Sequence, residues 1–124
     1  MKIKKSPDKE KAKSLFRMAE TTLKRLNKMD KKQFPSNTLI DYYDIIHQLM
    51  EGLTSIEGVK IKGKGAHYEL IKYICSKYGF SESTEDFLQQ IRKFRNRISY
   101  EGFFINKDFI ERNSSKFQKI INKL

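Results

Sequence analysis

The stretch Arg92-Lys93-Phe94-Arg95-Asn96-Arg97-Ile98-Ser99-Tyr100-Glu101-Gly102 gathers the residue types that grip phosphate. A guanidinium presents parallel N–H donors to two phosphate oxygens at once. On a helix, residues three and four apart are neighbours, so Arg92, Arg95 and Ser99 share one side. Asn96 and Tyr100, also four apart, lie close to that row. Ile91, Phe94 and Ile98 point to a core. The exposed side then holds guanidinium groups, a carboxamide and a phenol that can stack on a base or donate a hydrogen bond. The same arginines also suit a structural role. They would complement a helix dipole near its C-terminus and could pair with Glu85, Asp86 or Glu101.

Other chemistry is thinly represented. Two histidines and one cysteine, with no clustered spacing, give no metal site, and no cofactor is expected. Gly63-Lys64-Gly65 follows no strand and is not a P-loop. No Ser-His-Asp set can be read from spacing. Cys75 falls beside an apolar stripe and reads as core, as free cysteine commonly is. His47, next to Ile46 and Met50, reads as a core-edge residue. His67 opens a helix after the basic loop that carries Lys62 and Lys64. It can be structural, or it can contact a ligand together with those lysines.

These residues need elements to hold them. The 124 residues suffice for one domain, with 38% hydrophobic and 33% charged side chains. The net charge of +11 is unevenly spread. Residues 1–33 carry +8, residues 34–58 carry −4 with no Lys or Arg, residues 59–79 carry +4, residues 80–102 balance, and residues 103–124 carry +3. A basic surface favours polyanionic partners, although lysine-rich surfaces also serve solubility. One cysteine allows no internal disulfide, the basic N-terminus has no apolar run of a secretory signal, and no apolar run could span a membrane. The expectation is a soluble, cytoplasmic protein with no membrane contact.

Five helices and no strand are predicted, with residues 1–7 as a flexible lead. The first helix runs from about Asp8 to Asp30, with Ser6-Pro7 as its cap and first-turn proline. Leu15, Ala19, Leu23, Leu26 and Met29 recur at steps of three and four. Ser36 or Asn37 is expected to cap the second helix. Its stripes Leu39, Tyr43, Ile46, Met50, Leu53 and Tyr42, Ile45, Leu49, Ile56 mark a central or dimer-forming element. Gly58 ends it, and residues 59–65 read as a basic loop. The third helix covers about Ala66 to Tyr78, with Gly79 following. A capping box at Ser83-Thr84-Glu85-Asp86 would open the fourth, and Asn106 the fifth. Phe103-Phe104-Ile105 is an apolar link that must be covered. The fold class is all-α, an up-and-down bundle of four to five helices forming a single domain over 1–124.

The order of helices, the Tyr42–Leu53 run YYDIIHQLMEGL, the Gly-Lys-Gly-Ala-His loop and the Ile91–Gly102 run IRKFRNRISYEG resemble the HEPN superfamily (higher eukaryotes and prokaryotes nucleotide-binding). The resemblance covers about Asp8 to Leu124. The motif of that family is an Arg, usually a polar residue after it, and a His four to six residues after the Arg. Arg95-Asn96 matches the first half, and Tyr100 stands where the His would be. In active members the resemblance implies metal-independent ribonuclease chemistry near a dimer axis. There His assists the ribose 2′-OH and Arg steadies the phosphate. A tyrosine of ordinary pKa near 10 is a poor base at neutral pH.

The expected function is therefore binding of RNA or a nucleotide through Arg92, Arg95, Asn96, Arg97 and Tyr100, extended by Lys62, Lys64 and His67, with weakened or absent ribonuclease activity. One alternative is a toxin-type, metal-independent endoribonuclease using Arg95 and Tyr100, or a histidine brought in by folding. The resemblance allows it a small nucleotidyltransferase partner. The other is a non-catalytic homodimeric interaction module.

Overall fold

A computed structural model describes residues 1–124. Its elements run β1 (Lys2–Lys4), α1 (Lys9–Asn27), α2 (Pro35–Glu57), β2 (Val59–Ile61), α3 (Ala66–Lys77), α4 (Glu82–Glu101) and α5 (Lys107–Lys123). The five helices form an all-α bundle around α2, which packs against all four others.

The reason for that centrality lies in α2 itself. Leu39, Tyr42, Tyr43, Ile45, Ile46 and Met50 are all buried, an arc wide enough to meet partners on several sides. Each such side chain contributes about 1.5–3 kcal/mol on leaving water. Tyr42 stacks on Phe117 of α5, with ring centroids 4.2 Å apart and planes within 4°. The face of α2 that could have formed a dimer is thus occupied within the chain, and only Ile56 at its end stays exposed.

The strandless reading is corrected at one place. Val59–Ile61, expected within a basic loop, forms a strand, and its partner is Lys2–Lys4. The two pair antiparallel with Ile3 opposite Lys60. Beyond the ladder, the Lys5 amide donates to the Gly58 carbonyl at 2.8 Å, and the Met1 ammonium donates to the Lys62 carbonyl at 2.7 Å. Residues expected as a flexible lead are therefore tied to the α2–α3 connection. Gly58 makes the join possible. It ends α2 at φ 73°, and a side chain there would collide with the Lys5 carbonyl.

Three caps also differ from expectation. Asp8, not Ser6, caps α1 by accepting from the Lys11 amide at 2.9 Å. Ser81, not Ser83, caps α4 by accepting from the Thr84 amide at 3.1 Å. Pro35 already opens α2, so the Ser36 hydroxyl is not used as a cap. Its Oγ instead accepts from the Ile105 amide at 2.8 Å. Asn106 caps α5 as expected, and Gly79 follows α3 with φ 70°. In the α4–α5 link, Ile105 is buried and Phe103 stacks on Phe94, but Phe104 is 84% exposed and nothing covers it. No helix is long and apolar enough to cross a membrane.

Candidate functional site

The row Arg92, Arg95, Ser99 forms on α4, facing the seam where α4 meets α2 and α3. Leu88 and Ile91 are buried against the core, which turns Arg92 and Arg95 onto the flank beside it. Arg95 Nε lies 3.4 Å from Asp44 Oδ1 on α2, and its terminal nitrogen donates to Ser99 Oγ at 2.8 Å. Arg92 Nε donates to Gln89 Oε1 at 2.9 Å, and its guanidinium sits over the Tyr68 ring of α3, 5.7 Å from the centroid. Gln89 in turn donates to the Tyr68 carbonyl at 3.0 Å, which binds α4 to the first turn of α3.

Across the seam stand two histidines. The His47 and His67 rings stack with centroids 4.3 Å apart. His47 Nε2 is 2.7 Å from Glu51 Oε1, and Tyr43 Oη is 3.3 Å from His67 Nδ1. Tyr43, His47 and Glu51 follow one another at steps of four, so a single ridge of α2 presents all three. His67 comes from the start of α3, where Gly65 adopts φ 77° and leads the chain into the helix.

The electrostatics of this group are uneven. Burial pushes the Tyr43 phenol up to about 12, against the opposing pull of Arg92 and Arg95. Burial pulls the His67 imidazole below its ordinary value, and the neighbouring His47, Arg92 and Arg95 add to the effect against the opposing pull of Glu51. At neutral pH, Tyr43 is a phenol and His67 an uncharged imidazole. Glu51 is held below the usual carboxylate range, chiefly by its hydrogen bond with His47. Arg92 has no carboxylate within 4.0 Å, and Arg95 has only Asp44. That pair is 29% and 39% exposed in its side chains, so it contributes little, about 0–1 kcal/mol. An incoming phosphate can displace Asp44 at small cost and gain bidentate, charge-assisted bonds.

The sequence-defined cluster is thus divided. Arg92 and Arg95 lie on adjacent turns of α4, and both act electrostatically on His67. Arg97 does not join them: its guanidinium lies 4.0 Å from the Phe103 centroid and its Nε 3.8 Å from Glu101 Oε1. Asn96 is exposed, and Tyr100 projects freely at 83% exposure. Lys62 and Lys64 flank the turn that leads into His67, and both are exposed. Cys75 is buried, with its thiol pushed up to about 11 by burial, so it is no nucleophile.

Tyr43, Asp44, Glu51, Tyr68 and Gln89 enter the site although the sequence pattern does not single them out. The sequence marks His47 only as a core-edge residue. For three of these six a signal exists. Tyr43, which belongs to an apolar stripe of α2 but carries a hydroxyl, is followed by His47 and Glu51 at a strict spacing of four. The pairing of His47 with His67 has none, since it depends on how α3 docks.

No family model, no curated protein and no solved structure matches the chain.

Proposed function

We propose that this chain is a HEPN-type domain that binds RNA or a nucleotide by its phosphate, with Arg92 and Arg95 of α4 as the clamp. One observation carries the reading: two guanidiniums on adjacent turns share a seam in which Arg92 has no carboxylate partner and Arg95 has one weak one. His67 and Tyr68 border that seam, and Lys62 and Lys64, on the exposed turn that leads into His67, would extend the contact. Asn96 and Tyr100 would reach only a strand that continues along the outer side of α4. A short fluorescent RNA, titrated at several salt concentrations, tests it. Arg92→Ala and Arg95→Ala should each weaken binding and flatten the salt dependence by about one phosphate contact. Unchanged affinity in both variants overturns the reading.

A second reading, metal-independent ribonuclease activity of toxin type, is favoured by a specific observation. The imidazole missing at Tyr100 is available from His67, across the seam from Arg92 and Arg95. An uncharged imidazole can take the 2′-OH proton while guanidiniums steady the phosphate. RNA cleavage in EDTA that His67→Ala loses and Tyr100→Phe keeps would establish it; intact RNA at every pH would remove it. In this reading a small nucleotidyltransferase partner would hold the activity in check. The setting is cytoplasmic, and a homodimer would need a surface other than the buried face of α2.

A further inference from the structure

A second basic feature adjoins the clamp but is separate from it. Where the end of β1, the first turns of α1, the middle of α2, β2 and the start of α3 meet, there is a cavity of about 70 Å³. Lys5, Lys11 and Lys60 line it, with His47, Glu51 and His67. None of the three lysines has a carboxylate within 4.0 Å. Glu51 is the single acid on the wall, and it is engaged by His47 at 2.7 Å. The Nδ1 of His47 is buried with no hydrogen-bond partner. The wall therefore carries three ammonium groups with no direct ion pair against one carboxylate, which acts on Lys11 from a distance, around a space that holds only a few water-sized groups.

That combination selects for a compact, multiply charged oxyanion. A nucleoside is far too large for the space. A phosphodiester carries one negative charge, whereas a phosphate monoester carries up to two near neutral pH, with its second pKa at about 6. Three lysine point charges suit the second better than the first. His67 borders both the cavity and the arginine clamp, so the two basic features adjoin through one side chain.

We infer that the Lys5–Lys11–Lys60 cavity binds a phosphate monoester, either the terminal phosphate of an RNA or nucleotide held at the arginine clamp, or free inorganic phosphate. The RNA form of this inference rests on the proposed function above; the inorganic-phosphate form does not.

The test uses the full chain, two RNAs of one sequence ending in phosphate or in hydroxyl (at either end in turn), and inorganic phosphate alone. Phosphate-ended RNA should bind about tenfold or more tightly than hydroxyl-ended RNA. Lys11→Ala and Lys60→Ala should erase that difference and leave hydroxyl-ended RNA unaffected, while Lys60→Arg should keep it. Arg92→Ala should weaken both RNAs alike. In the second arm, inorganic phosphate should shift the ring resonances of His47 and His67 in the wild type but not in Lys11→Ala. A shift with no preference for phosphate-ended RNA assigns the cavity to free phosphate. Equal affinity for the two RNAs together with no resonance shift overturns the inference, and leaves RNA binding at the clamp standing. If no RNA binds at all, the proposed function fails, and the resonance arm alone decides the cavity.

Discussion

His47 Nε2 and Glu51 Oε1 lie 2.7 Å apart, one helical turn along α2, and His67 is stacked on the same imidazole. A carboxylate, two imidazoles and the Tyr43 phenol thus form one connected group at the wall between the bundle core and the basic surface.

This group makes stability depend on pH in two windows. His67 is depressed by burial first, so protonating it costs the folded state more than the unfolded chain. Its contribution is complete above the ordinary histidine pKa of about 6.5 and is lost as pH falls through the lowered folded value. Glu51 is depressed mainly by its hydrogen bond with His47, so its contribution is complete above the ordinary carboxyl range and is lost at still lower pH. Urea midpoints should therefore fall twice on acidification. His67→Gln should remove the upper fall and Glu51→Gln the lower. Parallel profiles for wild type and His67→Gln from about pH 7 to about pH 5 would contradict the assignment.

Gly52 lets α1 approach α2. A Cβ at this position would overlap the Phe16 ring, coming within 2.8 Å of Cδ1 and Cζ. Gly52→Ala should destabilise by about 1–3 kcal/mol, outweighing a helix-propensity gain of about 0.5–1 kcal/mol. In a Phe16→Ala background the overlap is gone and the same change should become stabilising. Thermal unfolding of the four proteins completes the cycle, and an unchanged sign across it would show that the ring is not the obstacle.

Ser36 and Ile105 are 69 residues apart and are joined by one buried hydrogen bond of 2.8 Å. Ser36→Ala leaves the Ile105 amide without a partner, at a cost of about 1–3 kcal/mol. Hydrogen exchange at that amide should rise well above the change in global stability. Protection at the wild-type level would mean that water replaces the hydroxyl.

Cys75 should resist thiol reagents in the native protein. Its thiol is 1% exposed and pushed up to about 11, so thiolate is scarce and access poor. Labelling should follow the unfolding transition in urea. Rapid reaction without denaturant would place the residue outside the core.

The apolar period of the helices was legible because burial on one face demands it, and Leu39, Ile46, Met50, Ile91 and Phe117 all lie where that period puts them. Gly58 and Asn106 were legible as helix boundaries because a left-handed C-cap and a side-chain N-cap need those residue types. The arginine pair was legible for the same local reason, since helical spacing alone sets Arg92 beside Arg95. The pairing of Lys2–Lys4 with Val59–Ile61 was not, because two three-residue strands far apart in sequence carry no local signal of each other. The separation of Arg97 was legible too, since a residue two places from Arg95 faces away from it on a helix, but its seat over the Phe103 ring was not. The sequence by itself determined five amphipathic helices and which residues each could bury. Only the tertiary structure brought His67 onto His47 and within the field of Arg92 and Arg95. Contacts between helices depend on the angle and register at which their buried faces meet, and no pattern within one helix encodes that.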